Sequence, residues 1–537
     1  MQAEKTFRRF AYRQSPDQLA KAPVRRGVVV IGGGPIGLSI AIDLGQRGIP
    51  VVLLDDSDRI GDGSRAICFA KRTLEIFDRL GAAAPMLAKG VEWQRGRVFH
   101  KERELYSFDL LPEPGHKMPA FINLQQYYVE SDLIDRAMAL SNVDIRWRNR
   151  VKGLSQQTGA VTLTIDTPDG DYQLSADWVV ACDGARSPTR GLLGLEFEGE
   201  QFEDQFLIAD VKMTAEFPVE RWFWFEPPFH SGQSALLHKQ PDDIWRIDLQ
   251  LSSDADTDYE RRPEVVRPRI ERMLGHKNFE LEWVSIYRFQ CRRLARFIHG
   301  RVIFAGDAAH QVSPFGARGA NSGVQDTDNL AWKLALVSGG KAPERLLASY
   351  DQERSEAADE NILNSTRSTD FIAPHSTAER TLRDAALAIA AKADFAKRFV
   401  NSGRLSVPCA YANSPLSTPD HDRFTTGPRP GAPIPDGPVA DVQGKARHLS
   451  EALGPDFTLL VFGPVVPECP WPDVALVQID EAKQLLIADG ELLEKRFDGK
   501  SGTVYLIRPD GHVAARFRTA NSAMIERALQ RAKGFHS

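Results

Sequence analysis

The stretch GVVVIGGGPIGLSIAIDLGQRGIPVVLLD, Gly27–Asp55, decides the fold of this chain. Its apolar run Val28–Ile31 predicts a buried strand, and a glycine-rich turn follows at Gly32–Gly37. Apolar residues then recur at helical spacing up to Gly48, after which a second apolar run, Val51–Leu54, predicts another strand. The order strand, glycine turn, helix and strand is typical of a Rossmann-type dinucleotide-binding unit.

The glycine turn fits the pattern G-x-G-x-x-G, in which each glycine has a separate task. Gly32 permits the tight turn, Gly34 lets the backbone approach a pyrophosphate, and Gly37 lets the helix pack on the strand. The helix N-terminus offers free N–H groups to the phosphates, and Asp55 can accept both hydroxyls of an adenosine ribose. A glycine cluster alone would also suit a purely structural turn, but the strand, helix and acid at this spacing favour a dinucleotide site.

Length and composition exclude several classes of protein. The 537 residues predict about three or more folding units, and a net charge of −5 gives no electrostatic reason to bind nucleic acid or an anionic membrane. No apolar run approaches the roughly 20 residues that a membrane helix needs, and residues 1–26 lack the apolar segment of a secretory signal. The five cysteines are odd in number and widely spaced, which predicts free thiols, no metal site and a cytoplasmic location.

Two polar side chains downstream of the glycine turn are candidate cofactor contacts. Arg65 lies in a loop before a predicted helix, Ala70–Leu80, and Gln126 lies near the start of another, Asn123–Ala137. Arg65 is equally compatible with a solvated loop charge, and Gln126 with an ordinary helix-start residue. The alternating pattern over residues 145–180 predicts an antiparallel meander.

A charged loop follows the last strand of this meander. The apolar segment Trp178–Ala181 leads into Cys182–Arg190, which begins with the turn signal Asp183-Gly184. Arg190 makes the loop able to meet phosphates, although Asp-Gly after a strand is ordinarily only a turn.

Aromatic residues become frequent over residues 206–289, where alternating runs predict a second, antiparallel sheet. Aromatic residues in strands are usually part of a core. Beside a cofactor domain, however, they could also form the floor of a flat apolar pocket, and the candidates are Trp222, Trp224, Phe225, Trp245 and Tyr287.

A third glycine-containing turn follows the apolar strand Arg301–Ala305. It reads Gly306-Asp307-Ala308-Ala309-His310, and a turn of small residues then precedes a helix. Asp307 can cap a donor or bind a hydroxyl of a sugar–phosphate chain, and the N–H groups of Gly319–Asn321 at the helix start could stabilise negative charge. His310 alone fits a packed, hydrogen-bonded histidine better than a catalytic base.

Together the three motifs resemble the fingerprints of class A flavoprotein monooxygenases, the para-hydroxybenzoate hydroxylase-like aromatic hydroxylases. The matching stretches are Gly32–Gly37 with Asp55, Asp183–Arg190, and Gly306–His310 with Pro314. The resemblance implies a mixed α/β fold, with a Rossmann-type FAD-binding domain of the glutathione-reductase-like kind and an inserted antiparallel substrate sheet.

The last hundred residues also resemble part of this family. Short apolar strands and a terminal helix, Ala520–Lys533, predict a small α/β unit. The stretch Arg508–Arg516 is similar to the thioredoxin-like domain of the phenol hydroxylase branch. A redox thioredoxin needs paired cysteines, and only Cys469 lies here, so the domain is expected to be structural.

The resemblance implies the following division of the chain: an N-terminal arm at 1–26, an FAD-binding domain at 27–205 and 290–400, a substrate sheet at 206–289, a Pro/Ser/Gly-rich linker at 401–438, and a thioredoxin-like domain at 439–537. It also implies a set of FAD-binding residues, namely Gly32, Gly34, Pro35, Ile36, Gly37, Asp55, Arg65, Gln126, Val151, Asp183, Arg190, Gly306, Asp307, Gly319, Ala320 and Asn321.

For catalysis, the resemblance implies that the carbonyl of Pro314 lies near the substrate hydroxyl. His310, Tyr287 and His230 are candidates for a base, each also compatible with a structural role. The chain departs from the family pattern at Ser313, where a proline is common, and at Asp56, where an arginine is frequent. These departures leave the substrate and the choice between NADH and NADPH open.

The implied reaction is hydroxylation of a phenolic ring with NAD(P)H and O2, through a flavin C4a-hydroperoxide. An FAD-dependent oxidase, reductase or epoxidase on the same fold is the alternative, since fold does not determine chemistry, and a non-catalytic flavin-binding protein is a third interpretation. The reductant would bind transiently, because the chain has no second Rossmann glycine turn. Arg221, Arg246 or Arg318 could pair with an anionic substituent, and the resemblance further implies a homodimer.

Overall fold

The computed structural model describes residues 8–61, 65–215, 217–374, 376–393, 395, 397, 407–440, 445–480, 487–488 and 492–535. Parts of the predicted arm, linker and C-terminal unit therefore lie outside the described residues. Within the described ranges, none of the helices combines the length and apolar character needed to cross a bilayer. The cytoplasmic location and the homodimer stay predictions.

The strands, in chain order, are β1 Val24–Ile31, β2 Val51–Asp55, β3 Cys68–Ala70, β4 Val91–Trp93, β5 Arg95–His100, β6 Arg103–Asp109, β7 Phe121–Asn123, β8 Val143–Trp147, β9 Arg150–Gln157, β10 Ala160–Asp166, β11 Tyr172–Ala181, β12 Phe197–Lys212, β13 Arg221–Phe225, β14 Ser234–Lys239, β15 Ile244–Leu251, β16 Glu280–Leu294, β17 Ile298–His299, β18 Val302–Phe304, β19 His310–Gln311, β20 Pro438–Ala440, β21 Ala446–His448, β22 Phe457–Phe462, β23 Val474–Ile479, β24 Ile487–Ala488, β25 Val504–Ile507 and β26 Val513–Phe517.

The helices are α1 Pro35–Gln46, α2 Lys71–Leu80, α3 Ala83–Lys89, α4 Gln126–Met138, α5 Pro188–Leu192, α6 Thr257–Glu260, α7 Pro263–Leu274, α8 Gly319–Ser338, α9 Ala348–Ile372, α10 Thr377–Ala390, α11 Leu449–Ala452, α12 Leu492–Phe497 and α13 Ser522–Ala532. Short 3₁₀ turns lie at Pro16–Leu19, Pro228–His230, Gly306–Ala308 and Glu344–Leu347.

The first sheet has the order β17-β18-β11-β1-β2-β8, and β10 and β9 extend it from β11. Strands β18, β11, β1, β2 and β8 run parallel to one another. Parallel strands are buried on both faces, which explains why the core of β1 reads as the continuous apolar run Val28–Ile31. The Rossmann-type α/β architecture predicted from the glycine turn is therefore confirmed.

Two local predictions for this sheet need correction. The meander predicted over 145–180 is antiparallel only from β9 onward, because β8 pairs in parallel with β2. Alternation of apolar and polar residues shows which face of a strand is buried but does not identify the partner strand. The helix predicted from Asn123 begins at Gln126, since Asn123 ends β7.

The second sheet has the order β19-β16-β12-β15-β14-β13-β5-β6 and is wider than the predicted range 206–289. Its strand β12 begins at Phe197, and the hairpin of β5 and β6 joins it through a parallel pairing of β5 with β13. The division of the chain into domains stays a prediction, but the residues of this sheet come from a larger part of the sequence than expected.

The two faces of the second sheet have different neighbours. Trp222, Trp224 and Trp245 pack with Val266 and Ile270 of α7, away from the first sheet. The suggestion that these tryptophans form the floor of a pocket beside the cofactor domain is therefore wrong. Alternate side chains of a strand point to opposite faces, so the residues between the tryptophans form the other face.

The C-terminal unit contains a four-stranded sheet of order β23-β22-β25-β26, in which only the β22–β23 pair is parallel. Its strands and terminal helix are close to those predicted. The predicted linker packs on this unit where it is described: the N–H groups of Thr418 and Gly431 donate to the carbonyls of Ala514 and Val513, both at 2.8 Å.

Candidate active site

The glycine turn after β1 is held by contacts within the protein. The Gly32 N–H donates to the Leu54 carbonyl at 2.8 Å, and its φ of +106° is one that favours glycine. A Cβ atom on Gly37 would lie 1.8 Å from the Gly32 carbonyl oxygen. Gly32 and Gly37 are therefore required by the turn and by helix packing, as the sequence predicts.

Gly34 differs, because a Cβ atom built on it would meet no protein atom within 4 Å. Gly34 is the N-cap of α1, and no side chain caps this helix. The first-turn N–H groups of a helix have no partner within the helix, so they face the open space beside Gly34. This arrangement fits a pyrophosphate.

Asp55 lies against the same turn. Its Oδ2 accepts from the Gly33 N–H at 2.5 Å and its Oδ1 from the Ser57 N–H at 2.8 Å. Burial raises the pKa of Asp55 to about 6, and the two backbone hydrogen bonds oppose that shift. Each carboxylate oxygen keeps a further lone pair, with which Asp55 can accept ribose hydroxyls.

Glu130 is a neighbour of this site that the sequence analysis missed. It accepts from the Gly61 N–H at 3.0 Å and from Gln126 Nε2 at 2.7 Å, and burial raises its pKa, with Asp55 contributing. Gln126 Oε1 accepts in turn from the Ala66 N–H at 3.0 Å. Gln126 and Glu130 thus hold the chain on both sides of residues 62–64, and their i, i+4 spacing on α4 is the only sequence signal for the pair.

The third motif is packed directly on the first. A Cβ atom on Gly306 would lie 2.9 Å from Ile36 Cγ1, and one on Gly323 would lie 2.7 Å from Ile36 Cδ1. Asp307, between them in the chain, is exposed. Burial by the surrounding protein nevertheless raises its pKa, while the charges of His310 and Arg65 lower it. Asp307 therefore lines a cleft rather than the open surface, and the Arg65 guanidinium acts on it.

The start of α8 completes this cleft. Asn321 does not direct its side chain into it: Oδ1 accepts from the Ala70 N–H at 2.9 Å, and Nδ2 donates to the carbonyls of Cys68 and Ala317 at 2.9 and 2.6 Å. The side chain thus ties β3 to the turn before α8. The N–H groups of Gly319 and Ala320 lie in the first helical turn, where no side-chain cap is present.

We use the name cofactor cleft for the space bordered by Gly32–Gly37, Asp55, Asp307 and Gly319–Asn321. Its residues fit a dinucleotide with a flat ring system at one end. Two helix N-termini without side-chain caps can face negatively charged groups, and the space over Gly34 is open. Asp55 and Asp307 provide one acid for each of two hydroxyl-bearing segments.

Residues 25–365 match the family described as "FAD binding domain". A flavin-dependent monooxygenase of Mycobacteroides abscessus is 30% identical over 508 residues, covering 90% of this chain and 96% of that protein. A 3-(3-hydroxy-phenyl)propionate/3-hydroxycinnamic acid hydroxylase of Escherichia coli K12 is 31% identical over 66% of this chain, and the match spans 64% of that enzyme.

The chain belongs to the FAD-dependent monooxygenases. The resemblance to class A flavoprotein monooxygenases is thereby confirmed, and the protein is an oxidoreductase with FAD as its cofactor.

Solved structures agree with this assignment at the level of the fold. The flavin-dependent monooxygenase PieE, solved with FAD and substrate, has a TM-score of 0.82 at 23% identity, covering 96% of this chain and 100% of that one. The p-nitrophenol 4-monooxygenase PnpA of Pseudomonas putida DLL-E4 has a TM-score of 0.64 at 27% identity, covering 72% of this chain and 100% of that one.

In this monooxygenase the second motif serves mainly to hold its own loop. Asp183 accepts from Ser187 Oγ at 2.5 Å and from the Thr189 N–H at 2.9 Å. Arg190 donates to the Ala308 carbonyl at 3.3 Å, and its guanidinium stacks on a phenylalanine ring. The motif therefore supports the turn that carries Asp307, and direct contact with FAD or NAD(P)H stays a prediction for both residues.

Two residues assigned to the site from sequence lie in packed surroundings. His310 is buried, its Nε2 lies 2.7 Å from Asp326 Oδ2, and its ring stacks on Phe297. Val151 is buried in β9 opposite Ile165. A catalytic role for His310 and a cofactor contact for Val151 stay predictions.

The substrate face is the face of the second sheet that carries Arg221, His238, Arg246, Phe206 and Tyr287. Strand register places these residues on one side of the sheet. Among the contacts of this face with the FAD-binding part, two lie near the cofactor cleft. Arg246 donates to the Arg65 carbonyl at 3.2 Å, and the ring of Phe206 packs edge-on against Phe315, 4.9 Å between centroids.

The two other candidates for a catalytic base, Tyr287 and His230, lie in different surroundings. Tyr287 is half-buried in the aromatic cluster around Phe206 and Phe315. His230 is buried, its Nε2 lies 2.6 Å from the Gln250 carbonyl, and burial lowers its pKa. Tyr287 is therefore the one of these two that lies on the substrate face beside the aromatic cluster.

Proposed function

We propose that this monooxygenase hydroxylates a phenolic ring, with NADH or NADPH as reductant and O2 as the source of oxygen. The observation that carries the proposal is the contact of Phe206 with Phe315. Phe315 lies in the turn that leads into α8, so the cofactor cleft ends where the aromatic surface begins. The name of the Escherichia coli relative, which specifies a hydroxyphenyl acid, supports a phenolic substrate.

When bound, FAD would supply the redox chemistry, namely oxidation of NAD(P)H and transfer of one oxygen atom of O2 to the ring, with the other atom leaving as water. The chain's own residues would hold the cofactor at three places. The α1 N-terminus would bind the pyrophosphate, Asp55 and Asp307 would accept hydrogen bonds from hydroxyl groups, and the α8 N-terminus would hold the flavin pyrimidine.

The substrate ring is positioned by the turn before α8 and by the substrate face. The Pro314 carbonyl accepts from the Ala317 N–H at 3.0 Å and has a second lone pair that can accept from a phenol hydroxyl. The aromatic rings of Phe206, Phe315 and Tyr287 keep water away from the reacting atoms. His310 would act only through Asp326, which accepts from the Gly306 N–H at 2.9 Å.

The C-terminal unit is proposed to be a thioredoxin-like domain. Its strand order, with one parallel pair followed by two antiparallel pairs, supports this proposal. Cys469 is its one cysteine in the sequence, so the domain lacks the dithiol of a redox thioredoxin. Its role is proposed to be structural.

The test is to measure NADH and NADPH oxidation by the purified holoenzyme with a panel of phenols, together with O2 uptake, H2O2 and hydroxylated product. Phenol-stimulated oxidation that yields one product molecule per NAD(P)H supports the proposal. Conversion of a substrate without incorporation of oxygen would instead support an oxidase or reductase, and oxygen addition to an alkene would support an epoxidase.

A further inference from the structure

Three arginines that could meet an anionic substituent differ in their partners. Arg246 makes a two-pronged ion pair with Asp210, both N–O distances being 2.8 Å. Arg318 donates to Asn361 Oδ1 at 3.3 Å. Arg221, within the described part of the chain, makes neither a hydrogen bond nor an ion pair. Only for Arg221 does the structure leave the guanidinium donors without an acceptor.

Arg221 lies at one end of a row of charged and polar residues on the substrate face. Trp222 pairs with Leu237, which places Arg221 beside His238, and His238 pairs with Arg246. Burial lowers the pKa of His238 to about 4, so this ring is neutral near pH 7. His238 therefore adds no positive charge to this row and no negative charge that would balance the Arg221 guanidinium.

Asp248 is an acid on the same face of the sheet. Its Oδ2 lies 3.9 Å from His238 Nε2, and its charge acts on Arg221 without approaching within ion-pair distance. Asp248 thus helps to keep the Arg221 guanidinium charged but does not occupy its donors. The other acid of this row, Asp210, is already bound by Arg246 and Gln240.

The position of Arg221 relative to the cofactor cleft follows from Cys68. Burial raises the pKa of the Cys68 thiol to about 11, and the charge of Arg221 opposes this, so the two groups are close. The Cys68 carbonyl is bound by Asn321 at the start of α8. Arg221 therefore lies near β3, the strand that Asn321 ties to the start of α8.

The surroundings of Arg221 shield it from water only in part. Arg221 is half-buried, so part of it remains accessible, yet burial lowers its pKa. A guanidinium remains charged under these conditions and carries five N–H donors in a planar fork. Removing such a group from water without an acceptor is unfavourable, and a carboxylate matches the fork with two parallel hydrogen bonds.

We propose that Arg221 binds a carboxylate on the aromatic substrate, so that the natural substrate is a phenol with an acidic side chain. This inference rests on the proposed function. It assigns Arg221, rather than Arg246 or Arg318, as the residue that selects charged over neutral phenols. The ring then lies towards Phe206, Tyr287 and Phe315, on the same face of the sheet.

The test compares each acid with its neutral amide on the oxidised holoenzyme. The probes are two pairs of different reach: 3-(3-hydroxyphenyl)propionate with its primary amide, and 4-hydroxybenzoate with 4-hydroxybenzamide. Dissociation constants are measured from the change in flavin absorbance without NAD(P)H. We expect the enzyme to bind at least one acid about tenfold or more tightly than its amide. Arg221→Met should weaken binding of that acid about 30-fold or more and leave the amide within about threefold.

Arg221→Lys should recover part of the preference for the acid, and Arg272→Met, at an exposed arginine of α7, should change neither constant. Equal binding of acid and amide by the unaltered enzyme overturns the inference, and this measurement depends on no variant. Equal weakening of acid and amide in Arg221→Met does so too. If neutral phenols are hydroxylated and the acids bind no more tightly than their amides, the proposed function is supported and the role of Arg221 is refuted. If no phenol is hydroxylated, the proposed function itself fails.

Discussion

Arg508 joins the C-terminal unit to the FAD-binding part through a buried ion pair. Its Nη1 and Nη2 donate to the two Glu353 carboxylate oxygens at 2.6 and 3.0 Å, and it also binds Asp510. Arg508 is fully buried, as are both acids. Arg508→Met would leave two buried carboxylates facing each other, with Lys333 as the remaining cation on Glu353 at 2.7 Å.

Removing one partner of a buried ion pair costs about 3–5 kcal/mol. If residues 407–537 unfold as one cooperative unit, an unfolding entropy of about 2 cal/mol/K per residue converts this cost into a fall in Tm of about 11–19 °C. The assay is thermal unfolding of the holoenzyme, followed in parallel by circular dichroism and by the release of flavin fluorescence. Arg527→Met, at an exposed arginine of α13, is the control and should change the free energy of unfolding by no more than about 0.5 kcal/mol.

The expected result is that the first transition falls steeply in Arg508→Met and that flavin is released with it. Flavin release is expected because Glu353 is followed by Arg354, whose Nε donates to Asp326 at 2.6 Å, and Asp326 holds the Gly306 turn. Arg508→Met and Glu353→Gln break the same ion pair. The loss in free energy of unfolding of the double variant should therefore be smaller than the sum of the losses of the two single variants. A Tm for Arg508→Met equal to that of the control would refute the argument that this pair joins the two parts.

Three further predictions concern the cofactor cleft. Gly34→Ala should fold normally and lose FAD affinity, because its Cβ meets only open space. Gly37→Ala should lose stability, because its Cβ would collide with a backbone carbonyl. Gly27→Ala, which is also in open space but lies outside the turn, is the control for FAD titration and melting. We expect FAD to bind the ionised form of Asp55, whose pKa is about 6. FAD affinity should then rise with pH through that value, and well below it each unit of lower pH should reduce the affinity about tenfold. Asp55→Asn should flatten this profile in fluorescence titrations. Asn321→Ala should destabilise the protein by about 1–3 kcal/mol in denaturant melts. Asn321→Asp should destabilise it at least as much, because a carboxylate oxygen would face the carbonyls of Cys68 and Ala317.

The sequence predicted the parts of the fold that depend on local pattern. Strand β1, the glycine turn and α1 follow from residues close together in the chain, and the tasks assigned to Gly32 and Gly37 agree with the contacts that a Cβ would make. The pairing of β5 with β13 could not be predicted in this way. It joins Arg95–His100 to Arg221–Phe225 in a parallel register, and nothing in either segment specifies its distant partner.

The same limit applies to the candidate site. Asn321 could be identified from its place at a helix start, but its three hydrogen bonds run to residues that a spacing pattern does not connect with it. Glu130 was missed because its partner, the Gly61 N–H, is a backbone group far away in sequence. Arg221 could be named only as one of three arginines, because the distinction depends on which of them already has an acceptor.

Ile36 shows why the separated motifs act as one structure. Its side chain fills the space that a Cβ on Gly306 or on Gly323 would need, so a residue of the first turn packs against both the third turn and α8. Those two glycines are thus required by contacts between protein segments, in addition to any contact with FAD. The cleft around Asp307 therefore takes its shape from this packing. A substitution that separates α1 from α8 would alter the position of Asp307 even if every group that touches the cofactor were unchanged.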